Sequence, residues 1–178
     1  MASENPRLRT AQLNELFVSS LGKRSQVIGN LTDKPLLVDA SIPFGVKLRV
    51  YLYNCTNPPG GRASDEYKSQ IIVPGQERGT RGNFLYSEDR IVILGAYAQM
   101  TPDVESGVFV FWDPMFHVDF AYSANIQVKS EVLIRAFAEL VSYGEKNNGE
   151  TIIACRPQNL REGIKARITT VSLPQTGR

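Results

Sequence analysis

Hydrophobic residues near the start of the chain recur at the spacing of a helix. Leu13, Leu16, Phe17 and Leu21 fall on one side of a helical projection, and Gly22 follows directly. Spacings of three and four residues place side chains on one face of an α-helix, and a glycine just past the last turn is a common stop. The pattern predicts an amphipathic first helix that packs on a core.

Six segments are rich in valine, isoleucine, leucine and tyrosine and are bounded by glycine, proline or polar residues. Such runs are typical of β-strands, because branched and aromatic side chains pack well on a pleated surface. The stretch TNPPGG at 56–61 interrupts them, since paired prolines and glycines cannot continue a strand. The predicted strands cover 36–39, 46–53, 66–73, 90–96, 108–112 and 151–155.

Two helix patterns follow in the second half of the chain. Ser130 is a good N-cap for a helix over 131–143, and Gly144 stands just past its end. Residues 159–167 predict a shorter, basic helix. The aromatic stretch ahead of Ser130, MFHVDFAYSANIQV, has no regular period and predicts irregular structure.

These elements together predict one mixed α/β (α+β) domain that spans residues 1–178. We expect a largely antiparallel sheet of about five or six strands with helices packed on it. A length of 178 residues and a hydrophobic fraction of 42% fit a single globular domain with its own core.

The apolar runs and the cysteines bear on location. The longest runs, such as 107–112, are too short to cross a bilayer, and residues 1–9 lack the apolar centre of a secretory signal. Cys55 and Cys155 are the two cysteines, and we expect them to be reduced thiols. The sequence therefore predicts a cytoplasmic protein with no membrane partner.

Side chains that hold metals are scarce in this chain. Two cysteines and one histidine cannot build a four-ligand zinc site without carboxylates, and an HNH nuclease motif needs several histidines. We expect no metal site and no cofactor.

The net charge is only +2, but the charges are unevenly spread. Residues 156–178 carry five basic side chains and one acidic one, whereas 101–120 carry four acidic side chains and neither lysine nor arginine. This asymmetry permits a basic face for a polyanion, and it equally fits an ordinary solvated surface.

Glu66 and Lys68 suggest a nuclease as one alternative. A Glu-x-Lys pair on a strand, with Asp39 earlier in the chain, is the outline of a PD-(D/E)xK nuclease, in which carboxylates hold magnesium and the lysine activates water. A whole predicted strand, 46–53, separates Asp39 from the strand with Glu66 and Lys68, whereas the nuclease motif needs the acid on an adjacent strand. The pattern E-x-K is also common by chance. We therefore favour a solvated, ion-pairing strand end as the explanation of the pair.

His117 is the single histidine and lies in an aromatic run. A catalytic triad with Asp113 or Asp119 would need it, but the nucleophile motif G-x-S-x-G is absent from the sequence. We expect His117 to be a buried structural histidine or one that faces DNA.

Arg78 and Arg81 stand among glycines in GQERGTRG at 75–82. The stretch lacks the G-K-[ST] ending of a phosphate-binding loop. It can still serve as an arm for a nucleic-acid backbone, because glycine amides approach phosphates closely. An ordinary hairpin loop is the alternative.

Three longer stretches resemble a known family. They are LRVYLYNCTNPPGGRASDEYKSQIIVPGQ, GVFVFWD and FAYSANIQVKSEVL. Over about 46–166 the chain resembles the DNA sulfur-binding domain of McrA-like type IV restriction endonucleases, which recognise DNA with a sulfur in place of one non-bridging phosphate oxygen.

The resemblance implies a reader of phosphorothioate-modified double-stranded DNA in a bacterial restriction and defence system. Such a module is not an enzyme by itself, so the resemblance implies a nuclease as partner, either fused or separate. Sulfur is larger and less strongly hydrated than oxygen, so a small apolar pocket can prefer it while basic residues neutralise the backbone. Another duplex-DNA module, B3-like or specific for a modified base, remains an alternative, as does the nuclease.

The resemblance also implies which residues form the site. The sulfur pocket maps to Tyr122, Ser123 and Ala124, and serine stands where the family often has proline. Gly61 takes the place of the family's histidine. The implied DNA contacts are Arg62, Asp65, Lys68, Gln70, Arg78, Arg81, His117, Asn125 and Lys129.

Overall fold

A computed structural model describes residues 7–40, 45–57 and 65–170. Over these residues the chain is an α+β domain, as the sequence predicts. The helices are α1 (Thr10–Leu21), α2 (Ser130–Arg135) and α3 (Leu160–Thr170), with 3₁₀ turns at Pro114–Phe116 and Pro157–Asn159. The strands are β1 (Ser25–Ile28), β2 (Leu36–Ala40), β3 (Val46–Asn54), β4 (Glu66–Ile71), β5 (Ile91–Gln99), β6 (Gly107–Trp112), β7 (Ala124–Lys129), β8 (Ser142–Glu145) and β9 (Thr151–Cys155).

The strands form two sheets. Seven of them make the main sheet in the order β1-β2-β3-β5-β6-β9-β8, and β4 with β7 makes a separate antiparallel pair. All neighbours in the main sheet are antiparallel except β3 and β5, which run parallel. The main sheet is thus larger than predicted, because the short strands β1 and β8 extend its two edges.

Both faces of the main sheet are covered. On one face α1 and α3 pack through Leu13, Phe17 and Ile164, and on the other β7 and α2 pack through Ile126 and Leu133. This double burial explains why β5 and β6 are nearly continuous apolar runs. The fold has three layers, and the β4–β7 pair lies on the side away from α1 and α3.

The helix predicted over 131–143 is wrong in its length. Helix α2 ends at Arg135, and Tyr143 belongs to strand β8. Past the end of α2, Phe137 and Leu140 are exposed and cover no core. Turns follow α2, and Arg135 donates from Nη2 to the carbonyl of Tyr143 at 2.8 Å across them.

Both cysteines are free and buried. Burial raises the pKa of the Cys55 and Cys155 thiols to about 12, so both are protonated near neutral pH. Along the described residues, no helix has the length and apolar character needed to cross a membrane.

Candidate nucleic-acid interface

Strands β4 and β7 have one apolar face and one polar face. The inward side chains Ser69, Ile71, Ile126 and Val128 are buried. Because successive side chains along a strand point to opposite sides, the alternate positions point outward. We call the outward side the polar face, and three cross-strand pairs form it: Glu66 with Lys129, Lys68 with Gln127, and Gln70 with Asn125.

The polar face groups amides with charged groups of both signs on one regular surface. Amide and ammonium groups can hydrogen-bond the edges of bases, and two strands can enter the major groove. Four of the predicted DNA contacts, Lys68, Gln70, Asn125 and Lys129, lie together here. Gln127 was missed, because the sequence did not predict β7 as a strand.

Asp65 lies at the end of the polar face. Its Oδ2 is 3.5 Å from Nζ of Lys129, and both side chains are more than half exposed, so the ion pair contributes little to stability. The Asp65 carbonyl accepts the backbone N–H of Ser130 at 2.7 Å, which fixes the start of α2. Arg62, also predicted to contact DNA, lies outside the described residues.

The loop that carries Arg78 and Arg81 is hydrogen-bonded to the segment before β7. Gly82 and Phe120 exchange two backbone hydrogen bonds, of 2.8 and 3.0 Å. A side chain at Gly82 would meet the Phe120 ring at 2.6 Å, so this close approach requires glycine. Asn83 and Asp119 add a reciprocal pair of hydrogen bonds, both of 2.8 Å.

A shallow groove of about 330 Å³ lies beside these hydrogen bonds. Arg78 and Arg81 are exposed, and the half-buried Tyr122 lies across from them. Arg81 has one long hydrogen bond, 3.5 Å from Nη1 to the carbonyl of Asp119. We call this feature the arginine groove, and its lining is Arg78, Gly79, Thr80, Arg81, Ala121 and Tyr122.

Only part of the predicted sulfur pocket lines the arginine groove. Tyr122 does, but Ala124 begins β7 and its methyl packs against the core beneath. Ala121 supplies the second apolar surface. Ser123 has a left-handed φ of 58°, which a proline ring cannot adopt, so the proline of the resembled family does not fit here.

His117 is held by a buried acid. Its Nε2 lies 2.7 Å from Oε2 of Glu150, which is fully buried and also accepts the N–H of Asp113 at 3.1 Å. The ring therefore pairs with Glu150, which the sequence did not single out. A DNA contact by His117 stays a prediction.

The three residues of the nuclease alternative are not brought together. Asp39 lies on β2 opposite Lys47 and forms an ion pair with Arg90, with 3.0 Å between Oδ1 and Nη1. Lys68 lies on β4, and its backbone forms a bridge with Thr56, two residues past the C-terminal end of β3. Lys47 and Thr56 are separated by nine steps of extended chain at about 3.3 Å each, so Asp39 lies on the order of 30 Å from Lys68. Across 7–40, 45–57 and 65–170, no cluster of three or more His, Cys, Asp or Glu side chains could hold a metal.

The fold and these surfaces define an α+β domain with a polar two-stranded sheet beside an arginine groove. A family model described as Methylase-associated X1 matches residues 46–164, from the start of β3 into α3. The chain therefore belongs to this family, which associates it with restriction-modification systems. The match is to this family and not to the sulfur-binding domain that the sequence resembles, so binding of phosphorothioate DNA stays a prediction. Neither the curated proteins nor the solved structures gave a match.

Proposed function

We propose that this chain binds double-stranded DNA and selects a phosphorothioate linkage in its backbone, as the reader of a restriction system. The observation that carries the proposal is the meeting of Arg78, Arg81 and Tyr122 in one groove. These residues come from segments about forty positions apart; the glycine-rich loop predicts backbone contact for the arginines, and the resemblance implies sulfur contact for Tyr122. Membership of a methylase-associated family is consistent with a role on DNA.

The polar face supplies the contacts to bases. Two strands about 4.8 Å apart fit a major groove about 12 Å wide, with side chains directed at the base edges. Gln70 and Asn125 are exposed and lie opposite each other, so their amides can pair with adenine or with adjacent bases. Glu66 and Gln127 add one carboxylate and one further amide.

The arginine groove supplies the contacts to the backbone. Arg78 and Arg81 neutralise phosphates, and the Tyr122 ring with the Ala121 methyl forms an apolar contact for sulfur. A hydrated oxygen gains less from such a contact than sulfur does. The expected preference is about 1–3 kcal/mol, or on the order of tenfold to a hundredfold.

In this proposal the chain recognises DNA and a separate or fused nuclease cuts it. Because Asp39 lies far from Glu66 and Lys68, the polar face serves binding and not metal-assisted hydrolysis. Incubation of the chain with duplex DNA and magnesium or manganese is expected to give no cleavage. Nicking that is lost in both Glu66→Ala and Lys68→Ala would make the polar face a catalytic centre.

The test compares three duplexes of one sequence: unmodified, and with a single phosphorothioate of either the Rp or the Sp configuration. Fluorescence anisotropy at physiological salt is expected to show preference for one configuration. Tyr122→Ala is expected to lose this preference. Tyr143→Ala is its matched control, because Tyr143 is an exposed tyrosine on the edge strand β8. Equal affinity for all three duplexes would leave a general DNA-binding module, and no binding to any of them would refute the proposal.

A further inference from the structure

A second cleft opens beside the polar face, on the side of α1. It has a volume of about 230 Å³ and lies between the start of α1, the loop before β2, and the ends of β3 and β4. We call it the α1 cleft. Its lining is Arg7, Leu8, Thr10, Leu13, Lys34, Tyr53, Asn54, Thr56, Lys68, Gln70 and Ile72.

The lining is positively charged. It includes Arg7, Lys34 and Lys68, and none of the described residues that line the cleft is a carboxylate. Three basic side chains from three separate segments line a space that one small anion can fill. Like charges that line one cleft repel each other, and an anion bound beside Arg7 and Lys34 would offset that repulsion.

Lys34 is the most enclosed of the three cations. Its ammonium lies 4.0 Å from the centre of the Tyr53 ring, and within the described part of the chain it has no salt bridge to an acid. Burial lowers the pKa of Lys34 to about 8, because a buried ammonium loses hydration. An aromatic ring replaces only part of that hydration.

The walls of the cleft are fixed by hydrogen bonds. Asn54 accepts the Leu8 N–H at 2.8 Å and donates to the Leu8 carbonyl at 2.9 Å, which ties the chain before α1 to β3. The Tyr53 hydroxyl donates to the Ile72 carbonyl at 2.8 Å. Thr56 and Lys68 exchange backbone hydrogen bonds of 2.9 and 2.8 Å. The cations are therefore presented by a preorganised frame.

We propose that the α1 cleft is a phosphate-binding site, and that the phosphate belongs to the backbone of bound duplex DNA. The identity of the DNA rests on the proposed function. Lys68 and Gln70 belong to both the cleft and the polar face, so a duplex whose bases meet the polar face brings its backbone past the cleft opening. Phosphate suits the site because its oxygens can accept from several cations on different sides.

The test uses Lys34→Gln, with Lys34→Arg to restore the charge and Lys23→Gln as control. Lys23 is exposed and lies past the opposite end of α1, about 18 Å from Thr10 along a 12-residue helix. Binding of an unmodified duplex is measured across a salt series. Lys34→Gln is expected to reduce the slope of log affinity against log salt by about one, whereas Lys34→Arg and Lys23→Gln keep the wild-type slope.

A second measurement uses inorganic phosphate as the probe. The ¹³Cε resonance of Lys34 is followed by NMR against pH, with and without phosphate and with and without duplex. Phosphate in the cleft is expected to raise the pKa of Lys34, and thermal melting shows that each variant is folded. Lys34 would not respond in this way if it had only a packing role.

The outcomes separate the two proposals. A wild-type slope in folded Lys34→Gln, with DNA binding intact, refutes the phosphate site and leaves the proposed function standing. If the wild-type protein binds no duplex but phosphate raises the pKa of Lys34, the site takes free phosphate and the proposed function fails. If neither phosphate nor duplex changes that pKa, the phosphate site is refuted.

Discussion

The arginines of the C-terminal segment and those of the 75–82 loop are used in opposite ways. Arg167 is fully buried and donates from Nη1 to the Thr151 carbonyl at 2.6 Å, and Arg161 donates from Nε to the Leu21 carbonyl at 2.7 Å. Arg78 and Arg81 are exposed around an open groove. Two arginines of the segment with the greater excess of positive charge therefore donate to backbone carbonyls within the protein, whereas the loop arginines are exposed to solvent.

This difference shows that basic composition does not locate a polyanion site. Burial lowers the pKa of Arg167, and the nearby carboxylates of Asp113 and Glu150 favour its charged form. Its charge is thus matched inside the protein. Charge that a protein neutralises internally cannot attract DNA, so only an accessible cation contributes to backbone binding.

The largest expected effect follows from removing Arg167. Arg167→Ala leaves the Thr151 carbonyl without its partner and removes a positive charge near Asp113 and Glu150, so the free energy of unfolding should fall by about 3 kcal/mol. Chemical denaturation measures this change. Lys165→Ala, an exposed neighbour on α3, should change stability by less than about 0.5 kcal/mol. If folded Arg167→Ala bound DNA more weakly than the wild type, the buried arginine would also contribute to DNA binding, and the contrast with the loop arginines would be wrong.

Removing the Tyr122 ring should abolish the preference for sulfur. Tyr122→Ala is expected to reduce the ratio of modified to unmodified affinity from on the order of tenfold or more to about one, while the arginines keep residual binding. Anisotropy with both duplexes measures the ratio, beside a melting curve. An unchanged ratio in a folded variant would place the sulfur contact elsewhere.

The loop arginines should act through phosphates. Arg78→Ala and Arg81→Ala should each reduce the salt slope by about one and weaken binding to modified and unmodified duplexes equally. Lys165→Ala carries the same loss of charge in the C-terminal segment and should leave the slope unchanged. Equal effects at all three positions would mean that overall charge governs binding and that the two regions do not differ.

The smallest expected effect is a pH dependence at Lys34. Its free pKa of about 8 means that it loses its proton between pH 7 and pH 9, and a bound phosphate needs that proton, so affinity should fall by at most about tenfold per pH unit above 8. Arg7 and Lys68 are the other basic side chains that line the cleft, and burial raises the pKa of Tyr53. Lys34→Arg should remove the pH dependence. A wild-type affinity that is flat from pH 7 to pH 9 would contradict the role of Lys34.

The sequence predicts the centre of the fold better than its edges. Strands β3, β5, β6 and β9 lie in the middle or next to the edge of the main sheet, and their buried apolar runs are confirmed. The short edge strands β1 and β8 carry half-exposed, mixed side chains, so they leave little pattern. Strand β7 was missed because aromatic residues and turns precede it.

The candidate site was predicted residue by residue and not as a surface. Lys68, Gln70, Asn125 and Lys129 were each singled out, but their common face depends on the pairing of β4 with β7, which is a long-range contact. The internal role of Arg167 was equally hidden, since a buried guanidinium and an exposed one look alike in a sequence. The partner of His117, Glu150, stands 33 residues away and carries no motif.

Backbone groups on both edges of the β4–β7 pair have hydrogen-bond partners. Thr56 bonds the outer side of β4, and the Trp112 indole donates from Nε1 to the Gln127 carbonyl on β7 at 2.9 Å. An unprotected strand margin invites another chain to add itself, which leads to aggregation. Because these edge groups already have partners inside the protein, they are not available to pair with a further strand, which helps the pair to stay two-stranded.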